Sequence, residues 1–204
     1  MTMALLPSLA LFCFVSSITP GPNNLMLMSS GLTFGFARTI PHMLGVALGF
    51  TFMVALVGLG IDALFLAVPQ LYVALKIISV IYLLWLAVKI ATAGPIADSG
   101  AVSGQPLSFL SAAAFQWVNP KAWIMAVTAT AVYAPKESFV FNVLMVALVF
   151  GIINLPCISL WVTFGTILRR WLHRPILVHA VNIGMALALV ASLKPIVLEL
   201  WAGL

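Results

Sequence analysis

The stretch Ser16-Ser17-Ile18-Thr19-Pro20-Gly21-Pro22-Asn23-Asn24 decides how this chain folds, because of what surrounds it. It interrupts an apolar run from about Ala4 to Ser29, in a chain of 204 residues that is 64% hydrophobic and 6% charged. A soluble domain carries about 25% charged residues. Water therefore cannot be the main solvent, and the bilayer is the alternative. In hydrocarbon the backbone must satisfy its own polar groups, which leaves helices or closed barrels. Two prolines within such a run mark a helix broken inside the membrane. Neither has an N–H, so the carbonyls of Ser16 and Ile18 lose their helical partners.

Working outward, charges and turn residues divide the chain into six apolar segments. They run from about Ala4 to Ser29, Met43 to Val68, Tyr72 to Ala91, Leu107 to Tyr133, Phe139 to Leu168 and Pro175 to Leu198. Each is long enough to cross about 30 Å of hydrocarbon as a helix. A barrel would show short alternating strands instead. The fourth segment carries a second break, Gln116-Trp117-Val118-Asn119-Pro120-Lys121-Ala122, with Pro120 one hundred residues after Pro20. Three segments precede the second half, so it enters the membrane from the opposite side. The expected architecture is an all-α integral membrane protein of six transmembrane helices. They form two inverted three-helix repeats, about 1–98 and 99–204, within a single transporter domain. Helices one and four are broken, which in such repeats marks a midplane binding site.

Basic residues set the orientation. Arg38, Lys89, Arg169, Arg170 and Arg174 fall in loops on one side, and Lys76, Lys136 and Lys194 on the other. The first side is expected in the cytoplasm, with both termini outside. The N-terminal run has no basic leader or cleavage motif and reads as a retained span. The net charge of +5 belongs to these loops and not to a nucleic-acid surface. Cys13 and Cys157 lie in apolar runs, and His42, His173 and His179 are not spaced as ligands, so no metal or cofactor is expected. The pattern Gly45-Val46-Ala47-Leu48-Gly49 lets helix backbones approach closely, inside the chain or between subunits.

The breaks carry the candidate chemistry. The half-helix that starts at Pro22-Asn23-Asn24 offers free N–H groups and a positive dipole end to a carboxylate. The carbonyls freed one turn earlier can accept from an ammonium group. A zwitterionic amino acid supplies both charges. The candidate substrate-binding residues are Thr19, Pro20, Gly21, Pro22, Asn23, Asn24, Gln116, Asn119, Pro120 and Lys121. Lys121 lies too deep to snorkel easily, so it either faces a cavity or is paired to a carboxylate or to freed carbonyls. Asp62, the one acid within an apolar run, is the proton-coupling candidate. An inorganic-ion exporter on a related fold is the alternative, but it needs clustered carboxylates, histidines or thiolates in the spans. An enzyme would need a nucleophile with its base or a metal centre, and neither is visible.

With Thr19–Asn24 and Gln116–Lys121 in view, the chain resembles the LysE/RhtB family of amino-acid exporters. Gly45 to Phe50 and the Tyr82-Leu83-Leu84-Trp85-Leu86-Ala87 run extend the likeness over nearly the whole chain. Within the family it is most similar to the cysteine/O-acetylserine exporter branch, through Thr19–Asn24, Lys89-Ile90-Ala91-Thr92 and the neighbourhood of Ala126–Thr130. That branch can carry an aliphatic residue where this chain has Pro120. The resemblance implies export of small neutral amino acids, of cysteine/O-acetylserine or threonine/homoserine kind, in exchange for protons. It also implies a bacterial-type inner-membrane location, no catalytic activity, and room for a homodimer.

Overall fold

The computed structural model describes residues 5–61, 67–92, 105–171 and 175–202. Among these, helices joined by short turns account for the structure and there is no strand. Helix α1 (Leu6–Ile18) and helix α2 (Pro22–Phe34) are the two halves of the first apolar segment. Each has 13 residues, about 20 Å of helix, which is less than the hydrocarbon thickness. Pro22 opens α2 at a position where its missing N–H costs nothing. The helix runs past Ser29 to Phe34 because Ser29, Ser30 and Gly31 are buried rather than in a loop. Gly35, at φ 80°, makes the turn alone, and helix α3 (Phe36–Leu56) follows at once. It starts seven residues before Met43, with Pro41 near its beginning. A turn at Val57–Ile61, with Gly60 at φ 114°, ends the described part of this segment; Asp62 lies outside the described residues.

Helix α4 (Pro69–Ala91) is the third segment. The fourth is divided as expected into helix α5 (Phe109–Phe115), a tight turn at Gln116–Val118 and helix α6 (Pro120–Tyr133). Helix α7 (Phe139–Trp171) has 33 residues and continues across Pro156. The sixth segment is not one helix to Leu198, as the apolar run suggests. It divides into α8 (Pro175–Ala191) and α9 (Lys194–Ala202). Pro195 has no N–H to offer the carbonyl of Ala191, and a turn at Ser192 and Leu193 intervenes. Three stretches, Phe36–Gly60, Val73–Ala91 and Phe139–Arg169, are each long and apolar enough to cross a membrane unaided.

Helix packing relies on close backbone approach where small residues permit it. The long α7 lies against α1, α2 and α3, while α3 also takes α5, and α4 pairs with α8. A Cβ on Gly31 of α2 would strike the carbonyl of Val162 on α7, and one on Gly165 of α7 would strike the carbonyl of Met28 on α2. Gly45 and Gly49 of α3 face the backbone of Phe109 and Ala113 on α5. The GxxxG pattern therefore packs two helices of the same chain. Three contacts join residues one hundred apart. The Phe50 and Phe150 rings meet edge to face at 5.0 Å. A Cβ at Gly151 would meet the side chain of Thr51, and one at Gly21 would meet the side chain of Lys121.

Gly31→Leu forces a side chain into the Val162 backbone and is expected to cost about 1–3 kcal/mol, the usual range for overpacking. Gly184, on α8 with nothing within reach of an added Cβ, is the control. Gly184→Ala should hold or raise stability by about 0.5–1 kcal/mol. Thermal unfolding in detergent measures both; equal effects would contradict the packing described.

Candidate functional site

Each broken helix leaves carbonyls without their usual partners, and each finds others nearby. At the first break the Ser16 carbonyl, deprived by Pro20, accepts from the Thr19 hydroxyl at 3.0 Å. The Ile18 carbonyl, deprived by Pro22, accepts from the Trp161 indole N–H of α7 at 3.2 Å. The Asn24 side-chain amide reaches back across the break and donates to the carbonyls of Ser17 at 2.8 Å and Thr19 at 2.7 Å. At the second break the Gln116 carbonyl accepts the Asn119 backbone N–H at 3.2 Å. The Trp117 carbonyl accepts the Trp123 indole at 2.9 Å. An indole thus closes each break, which satisfies groups that lipid cannot.

The two breaks differ at the helix starts that follow them. Asn119 caps α6, its side-chain oxygen accepting the Lys121 N–H at 3.1 Å. Gly21 stands at the same point before α2 and provides no side-chain cap. The first-turn N–H groups of α2 are therefore left to other partners. The backbone of Gly21 is extended, at φ −177°, a conformation that any residue adopts. What it needs to lack is a Cβ, because the stem of Lys121 lies on it.

Lys121 bridges the two halves. Its Nζ donates to the Thr19 carbonyl at 2.7 Å, the Thr19 Oγ1 at 2.9 Å and the Pro20 carbonyl at 3.3 Å. The Ser16 and Ile18 carbonyls that sequence reasoning offered to a substrate's ammonium have partners within the chain, and the chain's own ammonium takes the next carbonyls of the break, those of Thr19 and Pro20. A second bridge joins Asn23 to Gln116. Asn23 Nδ2 donates to Gln116 Oε1 at 2.8 Å, and Gln116 Nε2 returns a bond to Asn23 Oδ1 at 3.1 Å. Gln116 is fully buried and also donates to the Ala112 carbonyl.

A cavity lies between these bridges. Gly21, Asn23 and Asn24 line it from the first break, and Asn119 and Lys121 from the second. The space not filled by atoms is about 330 Å³, part of it open to the outside, but the centre of a water molecule fits in only about 20 Å³ of it. The smaller figure decides what fits: one or two waters in this conformation, so an amino acid needs the walls to part. Among the remaining expected residues, Thr19 and Pro20 hold Lys121, Gln116 holds Asn23, and Pro22 and Pro120 start the half-helices.

Sequence reasoning missed part of this wall. Asn154 is buried on α7 and lines the cavity beside Ile158, and Phe50 closes it from α3. Ser17 also lines it, and its hydroxyl is buried with no protein partner among the described residues. Asn154 does carry a signal in the sequence, since, like Asn23 and Gln116, it is an amide deep inside an apolar run. Ser17 and Phe50 gave no such signal. His179 is exposed on α8 and is not part of the cavity.

The family described as LysE type translocator matches residues 14–192. A cysteine/O-acetylserine efflux protein of Escherichia coli is 31% identical over 195 residues, which cover 93% of this chain and 96% of that one. Proteins of the same name from Salmonella typhimurium and Shigella sonnei are 32% and 31% identical. The former match covers 83% of this chain and 87% of its relative, the latter 93% and 96%. No solved structure matches the chain.

The Asn23–Gln116 bridge predicts a measurable coupling. Asn23→Ala and Gln116→Ala should each destabilise the protein, and the double variant should cost less than the two together. The difference should be about 0.6–2 kcal/mol, the range for side-chain hydrogen bonds between membrane helices. Thermal unfolding of the four proteins in one detergent gives the cycle. Strict additivity would mean that the two amides do not interact.

Proposed function

We propose, from the premise that this chain belongs to the LysE type translocator family, that it exports small neutral amino acids across the inner membrane in exchange for protons. The chain is a membrane-embedded translocator and not an enzyme. Molecules of the cysteine and O-acetylserine kind are the favoured cargo, in keeping with the names of its relatives.

One observation carries the reading: a polar cavity bounded by two helix breaks, one from each half of the chain. The substrate carboxylate meets the uncapped start of α2, where N–H groups and the helix dipole favour an anion. The substrate ammonium meets the carbonyls of Thr19 and Pro20. The unpartnered Ser17 hydroxyl and the Asn154 amide address a small polar side chain. No described residue lining the cavity is acidic, so a second positive charge on the substrate has no partner there and diamino acids are disfavoured.

The six-span inverted repeat, with boundaries near 98 and 99, is supported by helix pairing. The halves pack reciprocally, α1 and α2 on α7 and α5 on α3, while α3 meets α7 and α4 meets α8. Residues related by a two-fold axis meet one another at that axis. The contacts Gly21 with Lys121, Phe50 with Phe150 and Thr51 with Gly151 have that form. Alternating access then follows from one half rocking against the other. The orientation with basic loops in the cytoplasm is supported by the nearness of the Arg169 guanidinium to Gly35, which brings two basic turns to one end. Asp62 stays a proton-coupling candidate by its position in sequence alone.

Everted membrane vesicles test the reading. Labelled cysteine, kept reduced, should accumulate when the lumen is acidic, and lysine should not. Pro20→Ala combined with Pro22→Ala should insert normally and lose this uptake. Uptake that is absent in the parent protein, or unchanged in the double variant, would contradict the proposal.

A further inference from the structure

Lys121 raises a question of occupancy. The carbonyls of Thr19 and Pro20 are the acceptors that the exporter reading assigns to a substrate's ammonium, yet in this structure the Lys121 ammonium holds them. The two cations cannot both use them fully. A protonated amine has three N–H bonds, and Lys121 has three acceptors in the two carbonyls and the Thr19 hydroxyl. A neutral amine has two N–H bonds and a lone pair, so it satisfies at most two of them and brings no charge.

We infer that Lys121 is the proton carrier of the transport cycle, a tethered ammonium that occupies the first break when the site is empty and gives up its proton when substrate takes its place. The inference rests on the exporter reading above and adds a coupling residue to it. On the cytoplasmic side the substrate ammonium takes the Thr19 and Pro20 carbonyls. One N–H bond of Lys121 breaks, the electron pair stays on Nζ, and the proton passes to water on that side. The loaded site then holds a neutral amine and a zwitterion. On the outer side the substrate leaves, a proton from water re-forms the N–H bond, and the ammonium closes the break again. Each cycle moves one zwitterion out and one proton in.

The surroundings suit this role. Helices α1, α2, α3, α6 and α7 line the cavity, and no other titratable side chain among the described residues lines it. On α1 the nearest such group is Cys13, buried one turn before Ser16. Helix α2 has none. Arg38 and His42 of α3 lie two turns or more before Phe50, and Tyr133 ends α6. On α7, Cys157 is a buried thiol beside Ile158, and Arg169 and Arg170 lie at the far end of the helix. Gly21 completes the device, since its missing Cβ lets the lysine stem lie on the backbone.

The test is proton release on binding. Purified full-length protein in weakly buffered detergent is mixed with reduced cysteine, and a pH dye reports the protons freed per bound substrate. The parent protein should release about one proton per cysteine, and its apparent affinity should rise about tenfold per pH unit where the amine starts protonated. Lys121→Met and Lys121→Arg should release none and bind with an affinity that does not change with pH, whatever its absolute value. Only variants whose thermal transition matches the parent's are scored; if Met unfolds the site, Lys121→Gln, which keeps a donor for Thr19, replaces it. A parent protein that binds cysteine without releasing a proton overturns the inference, as do variants that still release one. Loss of all binding in both variants overturns it too, because Lys121 would then be an anchor for substrate rather than a group that substrate displaces. A parent protein that binds no neutral amino acid at all removes the exporter reading instead.

Discussion

Lipid does not hydrogen-bond, and every unusual feature of this chain follows from that at two points. A helix broken by proline exposes carbonyls whose burial costs several kcal/mol apiece if they stay unpaired. The chain satisfies them with groups from nearby and from distant sequence. Trp161 reaches Ile18 from α7, Lys121 reaches Thr19 and Pro20 from α6, and Asn24 reaches back over the break it follows. The breaks therefore act as junctions that tie the two halves together. A polar cavity persists between them because the polar groups there are already supported by protein.

The quality of this support separates the breaks. The second is closed locally, by a capping Asn119 and by Trp123 only a few residues on. The first is closed in part by its own Thr19 and Asn24 and in part by Lys121 and Trp161 from the other half, and its helix start has no side-chain cap. Local closure is stiff. Closure by a distant lysine can be exchanged for closure by a ligand, provided that the ligand offers the same kind of donor. In the proposed transport cycle that asymmetry assigns guest binding to the first break and the answering lysine to the second.

Much of this was legible in the sequence. The apolar runs gave helices, and Pro20 and Pro120 gave the breaks to within a residue or two. Eight of the ten expected site residues line the cavity or bond directly across the two breaks. What could not be read was three-dimensional partnering. Lys121 paired to carbonyls of a break was among the readings open from sequence, but that it reaches Thr19 and Pro20 of the first break depends on its stem lying on Gly21. Gly21 stands in the candidate site because a Cβ there would meet the Lys121 stem, not because of its backbone, which is extended as any residue's can be. The turn at Ser192 and Leu193 was hidden by continuous hydrophobicity, which measures affinity for lipid and says little about where a helix bends. Ser17 and Asn154 joined the wall because of which way their helices face, a rotation that pattern alone leaves free in a chain apolar on nearly every side.

The central claim is that a small amino acid is held where the two broken helices meet. Hydrogen–deuterium exchange on the purified protein, with and without reduced cysteine, addresses it most directly. Protection should appear in peptides covering 16–24 and 116–122 and be weak along α4 and α8. Protection confined to other regions, with both breaks exchanging as in the free protein, would contradict the account.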